Sequence, residues 1–562
     1  MIDEFEDRIF VIESEYFGMP EHHDGENAAI YLNYGFPAFN DTEGRLMIMV
    51  FNIVDESYFD PTYPSYVVGY YSPSIEYYYD RNAIHIDCYD WTNRTGADSP
   101  RPYVYESTIA HEYQHLLHDD LDEDEESWIN EGCSMYAEML CGYDEPWGYI
   151  EQFLFTPDNS LTEWGDQGDI NIIADYGAAA MFTIYLNDHF GGADFISALA
   201  SNGGNGIDGL IAALAASEEF SDWDFERVFK AWRMANLVHS DEFGDGWYNY
   251  KSIDLNDPRA GELNALKIKP GMGFTTQSYA FQYTWTQDGY NTGTYLLGPY
   301  GTDYLKIQGT RAGEPQKLSF KFDGNDNYDP GWKLAVAPAA PGFSGMAWYS
   351  GASDLRDVAV VGTVDLSGMT EATLSFDTHY YIEDFWDFGF VQVSTDGGAT
   401  WASLSNEHTT GDLVPEGYEV IADNLPGLTG AYSGSMSFDL SAYADQEVMI
   451  GFRYMTDWGY TEFGWYVDNI ALNGVVIEDG DAVRSFVSLQ PPIEVDFMVT
   501  IYAPAYSNDE VSLPCKMLDL NLNDADETVT KALLSFFGYK DIYVLISPDS
   551  GPTNYKFGLL KL

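Results

Sequence analysis

The spacing of apolar residues changes character about halfway along the chain. Arg45 to Val54 is a nearly unbroken apolar run and reads as a buried strand. Ser65 to Tyr71 is a second candidate strand, and Asn82 to Trp91 alternates apolar with polar residues, as a half-buried strand does. From about 103 to 240 the period lengthens to that of helices. Pro102 opens the first, Ser127 is a fair N-cap for the second, and Asp175 to Leu186 is strongly periodic, with Gly191-Gly192 as its stop. Ile207 to Ala216 and Asp222 to Val238 follow, the last opened by a capping-box-like Ser221 and Asp224. Residues 1–45 are acidic, aromatic and weakly patterned.

After Asp254-Leu255-Asn256-Asp257-Pro258, short alternating runs recur between turn residues, as in β-sandwiches. Leu318–Phe322, Thr373–Phe376, Gly389–Ser394, Glu447–Tyr454 and Gly464–Leu472 are the clearest strands, with Ile493–Tyr502 and Ile542–Ile546 in the tail. The expected fold class is multidomain: a zincin-like α+β domain over 1–262, then all-β domains over 263–339, 340–475 and 476–562. In this reading 263–339 and 476–562 form one discontinuous β domain with 340–475 inserted.

The chain has 562 residues, 45% of them hydrophobic, enough for several cores. Its formal net charge is −66, from 25 Lys and Arg against 91 Asp and Glu. Such a surface repels phosphate backbones and anionic lipid, so nucleic acid is not an expected partner. Adaptation to salt accounts for the bulk of the acidity, with calcium sites embedded in it. Four cysteines, at 88, 133, 141 and 515, are too few for a disulfide scaffold. Buried thiols are the main reading, with a Cys88–Cys133 bridge as the alternative. No apolar run is long enough to span a membrane. The N-terminus lacks the features of a signal peptide, and we read the sequence as a trimmed extracellular protein.

The chemistry concentrates in Ile109-Ala110-His111-Glu112-Tyr113-Gln114-His115. On a helix, residues i and i+4 share a face, so His111 and His115 can hold one Zn2+. Glu112 beside them is placed as general base towards the attacking water and as general acid towards the leaving amine. Glu131 is the best third ligand. His118 is the rival, but a metzincin would need glycine at 118 and a ligand at 121, where the chain has His118 and Leu121. For the oxyanion donor, Tyr176 is the first candidate, ahead of Tyr136 and Tyr113. A strand just before the metal helix would let an extended protein or peptide substrate pair with the sheet edge. The acid run Asp119 to Glu126 reads first as a solvated loop, with a calcium site or a substrate charge preference as alternatives. His22-His23-Asp24-Gly25-Glu26 reads as a polar loop, with metal binding as the alternative, since no ligand partner lies at a supporting spacing. Glu383, Asp387 and Asp468 are candidates for a Ca2+ site. Ser394 to Trp401 is an Asp-box hairpin in which Asp396 caps the turn and Trp401 packs beneath.

His111 to His115, together with Trp128-Ile129-Asn130-Glu131-Gly132, resembles the glutamate-zincin peptidases, in particular the hyicolysin-type neutral metallopeptidases. The resemblance implies zinc on His111, His115 and Glu131, and Glu112 as the catalytic carboxylate. Thermolysin-like enzymes orient the first histidine with an aspartate four residues past the glutamate ligand. Here that position is Met135, which leaves the group behind His111 unassigned. The G-x-M-E-N segment of zinc aminopeptidases is absent, which favours internal cleavage. Farther on, Tyr349-Ser350-Gly351, Trp386-Asp387-Phe388-Gly389, Ser394 to Trp401 and Trp465-Tyr466-Val467-Asp468-Asn469 resemble the jelly-roll domain of immune inhibitor A-type peptidases. The β domains are then candidates for holding substrate protein or glycan. The expectation is a secreted zinc endopeptidase. An aminopeptidase of the same class, and a degenerate peptidase acting as an adhesion protein, are the rivals.

Overall fold

The computed structural model describes the chain apart from residues 38, 61–62, 64, 166–171, 269–274, 278–283, 287–288, 292–295, 309–317, 415–416, 460, 508, 510, 523–528, 537 and 562. It divides into two units, Met1–Asp326 with Val495–Leu562, and Asn327–Glu494.

The first unit starts with a helix that the weak pattern of residues 1–45 did not announce. It runs through Ile2–Glu4, a π-helical Phe5–Ile9 and Phe10–Tyr16. Its apolar face packs on the helix that carries His111 and His115, with the Phe5 and Tyr113 rings edge to face at 5.1 Å. Three strands follow, β1 (Met47–Phe51), β2 (Gly69–Tyr71) and β3 (Ala83–Asp87), in the order β1-β3-β2. β1 runs parallel to β3, and β2 antiparallel to it.

Two expectations are corrected here. β1 is an edge strand whose Met49, Val50 and Phe51 are exposed, so an apolar run alone did not mean burial. β3 is central and buried throughout, not half-buried. Its polar positions are satisfied inside: Asp87 accepts the N–H groups of Ile53 and Tyr89, and His85 stacks on Tyr70 at 4.3 Å. The edge beside the helix of His111 and His115 is therefore β2, not the strand over 82–91.

Helices α1 (Pro73–Tyr79), α2 (Val104–Asp119), α3 (Ser127–Leu140), α4 (Trp147–Phe155), α5 (Ile172–Phe190) and α6 (Phe225–Val238) supply most of the core. α2 packs against α3, β2 and β3. The N-cap of α3 is Glu126, one residue before Ser127, and its carboxylate takes the Trp128 indole N–H at 2.7 Å. Asp224 itself caps α6, accepting the Arg227 N–H at 2.8 Å. All four cysteines are free thiols.

Strands from both flanks of the second unit share sheets in the first. One sheet has the order Lys516–Leu522, Phe497–Ala503, Asp541–Pro548, Asp303–Gln308, Leu266–Ile268, and another Val529–Ala532, Leu318–Gly324, Tyr555–Lys561, Thr275–Gln277. Buried Arg233 of α6 joins helices to strands, donating to the Met498 carbonyl, Ser547 Oγ and Thr500 Oγ1 at 2.6–3.0 Å. The second unit places two sheets of five or six strands around one core, with Trp332, Phe376, Phe452 and Trp465 buried in it. It extends beyond 340–475 at both ends, because Asn327–Tyr328 pairs with Ile493–Glu494 and closes its base. The Asp-box turn forms as expected: Asp396 accepts from Thr400 N–H and Oγ1 at 2.9 and 2.6 Å, and Trp401 donates to the Gly398 carbonyl.

Candidate metal centre and catalytic carboxylate

α2 is buried on nearly all sides, which holds its register against α3. His111 and His115, one turn apart, bring their Nε2 atoms to 3.1 Å. Glu131 of α3 approaches with Oε2, 3.1 Å from His111 Nε2 and 3.4 Å from His115 Nε2. Gly132 permits this approach. A Cβ there would meet Thr183 Oγ1 of α5 at 2.3 Å and the Ala179 carbonyl at 3.1 Å.

Both rings are oriented from behind. Glu138 Oε1 lies 3.1 Å from His111 Nδ1, and Asn130 Oδ1 lies 2.6 Å from His115 Nδ1. These acceptors place the ring protons on Nδ1 and turn both Nε2 lone pairs inward. Zinc–ligand bonds are about 2.0–2.2 Å, and three donor atoms 3.1–3.4 Å apart fit around one such ion. Two imidazoles and a carboxylate are the donor set of a catalytic zinc.

Glu112 is buried, and its Oε2 accepts the Tyr71 N–H of β2 at 2.9 Å. Burial raises its carboxyl above the usual range. Burial also acts on Glu131, but the facing His115 and His111 outweigh it and hold that carboxyl well below its ordinary value. Tyr176 reaches the site from α5, and its hydroxyl donates to Glu131 Oε1 at 3.1 Å. The other candidate tyrosines face elsewhere: Tyr136 donates to Asn187 Oδ1, and Tyr113 packs under the N-terminal helix. His118 is not at the site. It is fully buried with Nδ1 3.4 Å from Gln114 Nε2, and burial pushes its imidazole down to about 3.

Sequence reasoning missed Glu138 and Asn130 as orienting groups. The signal for Glu138 was its seven-residue spacing from Glu131, two turns of one face. The acid run is also not a solvated loop. Asp122 and Glu125 are buried, and Glu125 Oε1 accepts the Gly206 and Glu126 N–H groups at 2.7 Å.

Residues 333–487 match the family described as immune inhibitor A-like, MAM domain. The chain is also 29% identical over 157 residues to the pre-pro-metalloprotease PrtV of Vibrio cholerae serotype O1, covering 27% of this chain and 16% of that one. It is 25% identical over 172 residues to the neutral metalloprotease ShpI of Staphylococcus hyicus, covering 27% of this chain and 37% of that one. The chain thus spans well under two thirds of the length of these relatives. Both are metalloproteases by name.

In the second unit, Glu383 and Asp387 come together with Asp457, their ligand oxygens within 4.8 Å. Asp468 is not with them. It lies within the strand Gly464–Leu472 opposite Asp377, whereas Glu383, Asp387 and Asp457 lie in loops just outside the strands. Asp387 is fully buried, with Oδ1 accepting the Asp457 N–H at 3.0 Å and Oδ2 unpartnered. Burial, then the charge of Asp457, pushes Glu383 up to about 8.

Proposed function

We propose that this protein is an extracellular zinc metalloendopeptidase. The observation that carries the reading is the convergence of His111 Nε2, His115 Nε2 and Glu131 Oε2 within 3.1–3.4 Å, beside a Glu112 tied to a sheet edge. Bound zinc supplies Lewis acidity to water and to the scissile carbonyl. Glu112 takes a proton from the attacking water and returns it to the leaving amine, and its raised carboxyl suits that exchange. β2 offers a strand for an extended peptide to pair with, and the bond from Tyr71 to Glu112 sets the base relative to that strand. Tyr176 gives its one hydroxyl proton to Glu131 and would have to turn from it to serve as our candidate donor to the oxyanion. The metalloprotease relatives, and the pre-pro stage in the name of one, support an exported peptidase.

The test is casein hydrolysis by wild type and Glu112→Ala, with zinc measured in both. A loss of turnover of roughly 10²-fold or more at unchanged zinc is expected. Equal inertness of the two with zinc bound would favour an adhesion protein acting through its β domains on protein or glycan. Cleavage of free aminoacyl substrates but not of blocked peptides would make the enzyme an aminopeptidase.

For the second unit we propose that Glu383, Asp387 and Asp457 hold Ca2+, since buried carboxylates without a cation repel one another and calcium takes oxygen donors.

A further inference from the structure

A second set of metal-type donors lies beside the strand that holds Glu112, and the peptidase chemistry leaves it unused. His23 Nδ1 is 2.9 Å from Asp80 Oδ1, and Asp80 Oδ2 accepts the Asn27 N–H at 2.8 Å. A carboxylate only accepts, so Nδ1 carries the ring proton and Nε2 offers a lone pair. That lone pair faces Glu76 Oε1 at 3.1 Å, a repulsive pairing unless a cation or a second ring proton lies between. This repeats the arrangement at His111, where a carboxylate sits behind Nδ1 and a ligand oxygen lies 3.1 Å from Nε2.

A protonated His23 would satisfy Asp80 and one oxygen of Glu76 but no more. Glu76 is 7% exposed, and its Oε2 is buried without a partner. The neighbouring Tyr71 hydroxyl has one proton, and it goes to Asp119 Oδ2 at 2.8 Å. Ligand atoms of Glu21, His23 and Asp120 lie within 4.8 Å of one another, and Glu76 adjoins this set of three through its 3.1 Å approach to His23. Among the described residues, no lysine or arginine pairs with Glu21, Glu76 or Asp120.

We propose that Glu21, His23, Glu76 and Asp120 bind a second divalent cation, of the zinc or manganese type. Imidazole nitrogen with carboxylate oxygens suits that class, whereas calcium takes oxygen alone. The four residues come from the N-terminal segment, α1 and the end of α2. A cation there joins three stretches that are distant in sequence. Between it and the first centre stands Tyr71, its hydroxyl on Asp119 and its N–H on Glu112. The second cation therefore fixes β2 against α2, and only this positioning effect rests on the peptidase reading.

The test uses the full chain in excess calcium, which occupies all-oxygen sites, equilibrated with buffered free zinc. Wild type should retain two zinc equivalents, His115→Ala one, and His23→Gln and Glu76→Gln one each. Zinc should raise the melting temperature of His115→Ala but not of His115→Ala/His23→Gln. A wild type that holds a single equivalent, lost in His115→Ala, overturns the second site and leaves the peptidase reading standing. So does full retention of both equivalents in His23→Gln and Glu76→Gln. If one of these variants does not fold, shown by its melting in chelator, the other decides. Two equivalents in a protein inert on casein would fail the peptidase reading alone.

Discussion

Glu138 Oε1 stands 3.1 Å from His111 Nδ1, seven residues past Glu131 on the same face of α3. On the proposed reading, one helix supplies both a metal ligand and the carboxylate that aims another ligand. The Ser107 hydroxyl donates to the second oxygen of Glu138 and fixes it in turn. Glu138→Ala should weaken zinc affinity by roughly 10- to 100-fold, with the fold intact. Competition against a chromophoric chelator measures this, and unchanged affinity would count against the orienting role.

Gly132 follows Glu131 because α3 and α5 leave no room for a side chain there. A methyl group would meet Thr183 Oγ1 at 2.3 Å and the Ala179 carbonyl at 3.1 Å. Alanine favours a helix by about 1 kcal/mol over glycine, but overpacking costs typically 1–3 kcal/mol. Gly132→Ala should therefore lower stability by about 1 kcal/mol and weaken zinc binding by displacing Glu131. Urea unfolding with and without zinc reads both effects. A more stable variant would mean that the helices separate freely.

The candidate site was legible because helix period is local: His111, His115 and Glu112 lie within five residues. Glu131 was found through its motif. Glu138 escapes the thermolysin-like pattern, which points to Met135, although helical phase places Glu138 on one face with Glu131. β2 lies inside the candidate strand Ser65 to Tyr71, but its short extent of three residues and its place at the sheet edge depend on pairing with β3. The contacts of His23 were not legible at all, since Glu76 and Asp120 lie far along the chain. Asp457 was missed for the same reason, being 70 residues from Asp387. The burial of Glu125 depends on a backbone N–H 81 residues away, and no local pattern reports that.

Glu125 should leave a signature in the pH dependence of stability. Burial pushes its carboxyl up to about 8, against an ordinary value near 4.5. Between those values the unfolded chain has released the proton and the folded chain has kept it. Stability contributed by this group is therefore lost as pH rises through that window. Glu125→Gln keeps an acceptor for the Gly206 N–H and cannot ionise. Relative to wild type, it should gain on the order of 3 kcal/mol between pH 5 and pH 8. Denaturant unfolding at the two pH values measures the difference, and a pH-independent offset would show that Glu125 does not titrate in this range.

The cluster of the second unit makes a separate prediction. Glu383, Asp387 and Asp457 are brought together with Asp387 Oδ2 buried and unpartnered, so the apo unit carries mutually repelling carboxylates. A ligand that binds only the folded state stabilises it by RT ln(1 + [L]/Kd), about 2.7 kcal/mol at a hundredfold excess over Kd. Calcium should raise the melting temperature of the second unit by several degrees, and magnesium by less, because it gives up its water reluctantly. Asp387→Asn removes a charge and keeps the side-chain oxygen that accepts the Asp457 N–H. That variant should melt higher than wild type in chelator and respond less to calcium. The two effects have opposite signs, which separates loss of a cation site from general damage to the core. Calorimetry of wild type and variant in chelator and in calcium reads both. A variant that melts lower than wild type under both conditions would mean that Asp387 serves packing and not a cation.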